Sequence, residues 1–165
     1  MRTKIILYTV VIVISMYVQS FAQFSPYSRK TGFGIILGEP IGLTLKVWSD
    51  YDNAFVFDLG NSYFGDLRID VDYLWHFDAF RSRIVNLYAG PGGVLGIGEG
   101  NGFWYKGKYH RTKNDIGIGA RGVFGINVVP ERTPLEIFFE LGVLVGLAPD
   151  FGSSVDAALG MRFYP

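Results

Sequence analysis

The chain contains no cysteine, no excess of charge and no long apolar segment beyond its first 22 residues. Without cysteine there are no disulfides, no thiolate metal sites and no lipid-modified cysteine of the lipoprotein type. The 15 basic and 15 acidic side chains cancel, which argues against nucleic acid as a partner. Residues 23–165 lack the ~18 consecutive apolar residues that a transmembrane helix needs, and 22 glycines disfavour long helices.

The first 22 residues have the pattern of a cleaved secretory signal. Arg2 and Lys4 provide a positive start, and an almost unbroken apolar run follows over residues 5–18. The small residues Ser20 and Ala22 then occupy the positions that a signal peptidase recognises. A helix over that run reaches only about 21 Å, short of the roughly 30 Å hydrocarbon core of a bilayer. We therefore expect residues 1–22 to be removed.

Strict alternation of apolar and polar side chains dominates the rest of the chain and predicts β-strands. Seven breaks rich in glycine, proline and other turn-forming residues separate the alternating runs. We expect a bulge at Pro91–Gly93 that shifts the register of the fifth strand. Residues 23–165 are predicted to form a single β-barrel domain of eight strands. Their approximate spans are 31–38, 41–48, 54–60, 67–77, 84–98, 115–129, 135–147 and 154–164.

Two architectures have such two-faced strands. A soluble lipocalin-like barrel turns the apolar face inward, whereas a membrane barrel turns it toward lipid. The apolar face carries no charge where its phase is clear, and the other face combines glycine with charges of both signs. Both observations favour the membrane barrel. Aromatic residues near strand ends are expected to form interfacial girdles; they are Trp48, Tyr51, Tyr63, Phe64, Trp75, Phe77, Phe80, Phe163 and Tyr164.

The signal pattern, the eight alternating strands and the aromatic last strand, residues 157–164, carry a resemblance to a known group. Roughly residues 31–165 resemble the small eight-stranded outer-membrane barrels of the OmpX and OmpA transmembrane-domain type, and uncharacterised barrel families of bacterial surface proteins. The resemblance implies an all-β fold, an eight-stranded antiparallel up-and-down transmembrane β-barrel. It places the protein in the outer membrane of a Gram-negative-type bacterium. Its partners would be lipid, lipopolysaccharide and, during insertion, the barrel-assembly machinery.

The predicted inward face carries charged side chains that must be paired or hydrogen-bonded once buried. We expect a cross-barrel ion network that plugs the interior, because eight strands leave a space just wide enough for side chains. A narrow ion path or proton relay is the alternative. The candidate members are Lys46, Asp58, Arg68, Asp70, Asp72, Arg121, Glu136, Glu140, Asp156 and Arg162, with His76 beside them.

The longest connection, residues 99–114, follows the fifth strand and would face the cell exterior if the chain starts in the periplasm. Its interleaved aromatic and cationic side chains suit lipopolysaccharide phosphates, a glycan or a host protein. The alternative is that they only anchor extended strands among lipid headgroups. The candidate interaction residues are Phe103, Trp104, Tyr105, Lys106, Lys108, Tyr109, His110, Arg111 and Lys113.

Catalysis is the least supported function. The carboxylate pairs Asp70/Asp72 and Glu136/Glu140 lack the substrate cleft that glycoside hydrolysis requires. The glycines of residues 90–93 precede no helix that would bind phosphate. Neither a metal site nor a cofactor is predicted.

We therefore expect a non-enzymatic outer-membrane barrel that serves envelope integrity or surface interaction through residues 99–114. One alternative is a soluble periplasmic barrel that binds an apolar ligand. Another is a lipid-A-modifying enzyme, in which His110 would act with Ser153 or Ser154. A small pore comes last.

Overall fold

The computed structural model describes residues 30–78, 80, 82, 84–98, 103–105, 108–110, 116–130, 133–149 and 151–165. These residues form ten β-strands. At residue 78 and in residues 103–105 and 108–110 only the backbone is described. The predicted signal segment lies outside these residues and stays a prediction. The strands are β1 Thr31–Gly38, β2 Ile41–Trp48, β3 Asn53–Ser62, β4 Gly65–Asp78, β5 Val85–Ile97, β6 Phe103–Tyr105, β7 Lys108–His110, β8 Ile116–Val128, β9 Leu135–Ala148 and β10 Gly152–Phe163.

Eight of the strands close into an antiparallel barrel. Each of β1 to β5 pairs with the next, β5 pairs with β8, and β8, β9 and β10 follow in order. Pairing of β1 with β10, from Phe33↔Phe163 to Gly38↔Ala158, completes the ring. The predicted up-and-down eight-stranded fold is confirmed. No helix in the described part of the chain is long and apolar enough to cross a membrane.

Burial alternates along the barrel strands with the period of two that a β-strand imposes. In β8, for example, Ile118 and Phe124 are exposed on the outside, whereas Arg121 and Val123 are buried inside. Across the eight barrel strands, the described outward-facing positions carry no charged side chain. The barrel therefore has an uncharged, largely apolar outer surface and a charged interior.

The predicted register shift at Pro91–Gly93 is wrong. β5 keeps one register with β4 from Leu67↔Ile97 to Asp78↔Asn86, and one register with β8 along its whole length. Pro91 has no N–H to donate, but no extra residue is inserted beside it. The register shifts instead between Gly60 and Ser62 in β3 and between Ile118 and Gly119 in β8.

The connection after β5 contains a short antiparallel hairpin where the sequence predicts a loop. Its strands β6 and β7 pair from Phe103↔His110 to Tyr105↔Lys108. The hairpin attaches to β10 through the pair Ser153↔Trp104, beyond the part of β10 that β1 covers. Because β10 is two strands away from β8, the chain reaches past β9 to make this contact.

The two ends of the barrel differ in their connections. One end, here called the long-loop end, holds the connections after β1, β3, β5 and β9. The other, the short-turn end, holds the connections after β2, β4 and β8 together with Lys30 and Tyr164. The buried charges divide between these two ends.

Candidate functional site

All ten charged residues predicted to face the interior are buried. Each exposes at most 4 % of its surface, and Arg68, Asp70, Glu136 and Arg162 expose none. They come from six of the eight barrel strands, so alternation along each strand is what brings them together. Ion pairs sort nine of them into two clusters, and Asp58 forms no ion pair with a described residue.

The first cluster, here the Glu136 cluster, lies toward the short-turn end. Glu136 Oε1 accepts hydrogen bonds from Lys46 Nζ at 2.8 Å, Asn127 Nδ2 at 2.7 Å and Arg162 Nη1 at 3.4 Å. The Tyr164 hydroxyl donates to the other carboxylate oxygen. One carboxylate therefore serves two cations and two neutral donors.

The second cluster, here the Arg68–Arg121 cluster, begins near the long-loop end. Arg68 Nε lies 2.8 Å from Asp70 Oδ1, and its Nη2 lies 2.6 Å from Asp156 Oδ2. Arg121 pairs with the second oxygen of Asp70 and lies 2.9 Å from Glu140 Oε1. Two guanidinium groups thus hold three carboxylates through charge-assisted hydrogen bonds.

Two carboxylates are held less well. Asp72 Oδ1 lies 3.4 Å from Arg121 Nε without forming a hydrogen bond. Neither oxygen of Asp58 has a hydrogen-bond partner, although Asp58 is 1 % exposed. Arg162 Nη2 also lacks a partner, while Arg162 Nε donates to the Thr44 hydroxyl at 3.0 Å. Buried polar groups without partners are costly, so these atoms mark the part of the interior that side chains do not satisfy.

Aromatic rings fill the space between the clusters. Tyr88 donates to Glu140 Oε2 at 3.1 Å, and the Arg162 guanidinium lies 3.7 Å from the centre of the Phe138 ring. The rings fit because glycines lie beside them: a Cβ at Gly125 would overlap Tyr88, and one at Gly160 would overlap Phe138. Inward glycines therefore provide room for large side chains on other strands.

Phe64 and Tyr164 do not belong to the predicted aromatic girdles. Each exposes only 4 % of its surface. Phe64, in the turn after β3, enters the barrel and packs with Val94 and Leu144. Tyr164 reaches Glu136 because it has the inward parity of Arg162. The girdle prediction is wrong for both, since position near a strand end does not decide the face.

Tyr63, beside Phe64, is half-buried and donates its hydroxyl proton to Asp156 Oδ1 at 2.5 Å. Burial and the Asp156 carboxylate raise the pKa of the Tyr63 hydroxyl, so it remains a donor at physiological pH. By contrast, Tyr51, Phe77 and Phe80 are exposed near the short-turn end, where an interfacial girdle is expected.

His76 lies inside the barrel near the short-turn end. Its ring centre is 4.4 Å from that of Trp48 and 5.4 Å from that of Tyr88, and its Nδ1 lies 3.3 Å from the Asp52 carbonyl oxygen. A neutral histidine among aromatic rings fits this environment. The described residues contain no group of three or more histidine and acidic side chains arranged to hold a metal ion.

Five polar residues belong to the interior although the sequence interpretation does not name them as site residues. The sequence signal is alternation: four of them lie an even number of residues from an inward charge on β2, β3, β8 or β10, and Tyr88 lies opposite the inward His76. They are Thr44, Ser62, Tyr88, Asn127 and Tyr164.

The side chains of the predicted outer-loop interaction residues lie outside the described part. Backbone positions of Phe103, Trp104, Tyr105, Lys108, Tyr109 and His110 belong to the β6–β7 hairpin, while their side chains are not described. Lys106, Arg111 and Lys113 lie outside the described residues.

No protein-family model matches the chain, and no curated protein matches it. Among solved structures, it is similar to the N-terminal β-barrel domain of Pseudomonas aeruginosa OprF. The TM-score is 0.56 at 16 % sequence identity, over 81 % of this chain and 93 % of that chain. At this identity the likeness shows the barrel fold alone. The comparison does not distinguish the OmpX type from the OmpA type.

Proposed function

We propose that the chain is an integral outer-membrane barrel of a Gram-negative-type bacterium, a non-enzymatic protein whose interior is closed by its own side chains. The inverted polarity of the barrel carries the proposal. Leu43, Val155 and Leu159 expose 60, 72 and 51 % of their surfaces on the outside. Water disfavours so continuous an apolar surface, whereas hydrocarbon favours it and disfavours charge there.

The closed ring of strands supports the same location. A bilayer core has no water to hydrogen-bond free backbone groups, so only helices and closed barrels cross it. Pairing of β1 with β10 gives each barrel strand a neighbour on both sides. A soluble lipocalin-like binder would need the reverse arrangement, with Val71 and Leu159 lining a cavity, but both side chains point outward.

Localisation tests the proposal directly. After cell fractionation, we expect the protein in the outer membrane, with a gel mobility that changes when the sample is boiled. Leu159→Arg places a charge on the outer face, which costs about 2–4 kcal/mol near a bilayer midplane, so outer-membrane recovery should fall. Tyr51→Arg, at an exposed connection outside the strands, is the matched control. A soluble band indifferent to boiling contradicts the proposal.

A closed interior is the second part of the proposal. Phe64 inside the long-loop end, and the two ion clusters with Tyr88 and Phe138 further along the interior, support this part. Barrels of about eight strands have only enough space for side chains. We expect planar-bilayer recordings to show no steady conductance, and a reproducible open channel would contradict this part.

The finer role that we propose is envelope integrity or surface interaction through residues 99–114. Cations and aromatic side chains concentrate in this segment, and lipopolysaccharide offers matching phosphates. Neutralising Lys106, Lys108, Arg111 and Lys113 to Gln should weaken binding of the reconstituted protein to lipopolysaccharide. Lys30→Gln, at the opposite end of the barrel, is the control. Unchanged binding of the four-residue variant contradicts this role.

A further inference from the structure

The barrel interior contains more acid than base. Among the described side chains, six buried carboxylates face four buried cations, which gives the interior two excess negative charges when all groups are ionised. The outward faces of the described barrel strands carry no charge that offsets them. Uncompensated charge in a sealed, low-dielectric interior is strongly unfavourable. The carboxylates are Asp58, Asp70, Asp72, Glu136, Glu140 and Asp156, and the cations are Lys46, Arg68, Arg121 and Arg162.

Hydrogen bonding identifies where the excess lies. Four carboxylates accept hydrogen bonds from cations, and they match the four cations in number. The remaining two are Asp58, with no partner on either oxygen, and Asp72, whose Oδ1 has none. The count of charges and the count of hydrogen bonds therefore lead to the same two residues.

Asp58 and Asp72 are neighbours on the inner surface. The register pairs Asp58 with Asp70 and Val56 with Asp72, so Asp58 and Asp72 lie diagonally across β3 and β4 on one face. Opposite Asp72 on β5 is Gly92, which brings no charge. The groups that act on the pair from the other elements are Thr44 on β2, Asp70 on β4, Arg121 on β8, Glu140 on β9 and Arg162 on β10.

We propose that the Asp58–Asp72 pair is a proton-binding site, with one proton on each carboxylate in the folded barrel. The two protons offset the two excess negative charges of the described interior, and each carboxyl group becomes a hydrogen-bond donor. A metal ion would supply the same charge, but the described residues provide no group of three carboxylates or histidines arranged around one point. The inference rests on the closed interior of the proposed function.

The protein is purified from the cell fraction in which it accumulates and is folded in detergent. Its urea unfolding, measured between pH 5 and pH 9, tests the proton-binding site. Unfolded carboxyl groups release their protons near pH 4. The folded state therefore binds more protons over this range, and stability falls as pH rises. Each bound proton should raise the unfolding equilibrium constant by up to about tenfold per pH unit, so two protons should raise it by up to about 100-fold. Refolding in weakly buffered dye solution should show uptake of up to two protons.

Asn has the shape of a protonated aspartate, so Asp58→Asn with Asp72→Asn should remove this pH dependence and leave the variant at least as stable as wild type at pH 9. Each single variant should reduce the pH dependence of the unfolding equilibrium constant by a factor of about ten per pH unit. Asp156→Asn is the control, because Asp156 is paired with Arg68 and the pH dependence should persist. A wild type without pH dependence or proton uptake overturns the site. Stabilisation by sodium but not by N-methylglucamine, without pH dependence, also overturns it. Localisation is measured separately, so the membrane proposal stands or fails independently.

Discussion

The two ion clusters of the interior have opposite imbalances. The Glu136 cluster places one carboxylate between Lys46 and Arg162, whereas the Arg68–Arg121 cluster sets two arginines among Asp70, Asp72, Glu140 and Asp156. A carboxylate excess is relieved by taking up protons. In the cation excess only Lys46 can release a proton as pH rises, because the guanidinium of Arg162 keeps its proton. Removing one charged partner should therefore change the free energy of unfolding with a different pH dependence in each cluster.

The largest effect is expected at Glu136. Glu136→Gln leaves Lys46 and Arg162 buried without their shared carboxylate, which should lower the free energy of unfolding by about 3–5 kcal/mol. Urea unfolding in detergent should give a larger loss at pH 5 than at pH 8, where Lys46 can release its proton. A loss below about 1 kcal/mol would show that the cluster does not hold this end together.

Arg121 provides the comparison in the other cluster. Arg121→Met removes the cation that faces Asp70, Asp72 and Glu140, and we expect a loss of about 3 kcal/mol at pH 8. The same unfolding measurement at pH 5 should show a smaller loss, because the freed carboxylates take up protons. Equal losses at both pH values would contradict the difference between the clusters.

Packing between the clusters gives a smaller effect. Gly125→Ala should cost about 2 kcal/mol, since the new methyl group would overlap the Tyr88 ring. Gly122→Ala, three residues earlier on the outward face, meets nothing within 4 Å and should change stability by less than about 0.5 kcal/mol. Thermal unfolding of the two variants checks the inward and outward assignment; equal effects would refute it.

The smallest effects are expected from two matched hydroxyl deletions. Tyr164→Phe removes a donor to the fully buried Glu136, which should cost about 1.5 kcal/mol. Tyr63→Phe removes a donor to Asp156 at the half-buried mouth, where water replaces part of the lost hydrogen bond, so the loss in urea should be smaller. The reverse order would mean that the long-loop end is the better sealed one.

Much of the barrel is predictable from the sequence because successive side chains of each strand alternate between the inner and outer faces of the barrel. Once Val71 is assigned to the outside, Asp70 and Asp72 must point inward, and the same parity places Arg162 and Glu136. Composition of the two faces then predicts which face would meet lipid.

Partner choice inside the barrel is not predictable in this way. Lys46 and Glu136 are 90 residues apart in the chain and meet only because of how far neighbouring strands are offset around the ring. Phe64 lies in a turn, where alternation gives no assignment, and its inward position depends on the space beside Gly96, where a Cβ would lie 2.8 Å from Phe64 Cδ1. Alternation likewise does not predict that no arginine donates a hydrogen bond to Asp58, because this depends on the conformations of the arginine side chains.

Lipid exposure of the outer face is the claim on which the rest depends, and the absence of cysteine makes it directly measurable. Single cysteines at Leu43, Val71 and Leu159, each spin-labelled in reconstituted bilayers, should be accessible to dissolved oxygen and protected from a water-soluble nickel reagent. A spin label at Tyr51, in an exposed connection, should instead be more accessible to the nickel reagent than to dissolved oxygen. Nickel accessibility at the three outward strand positions would contradict the account.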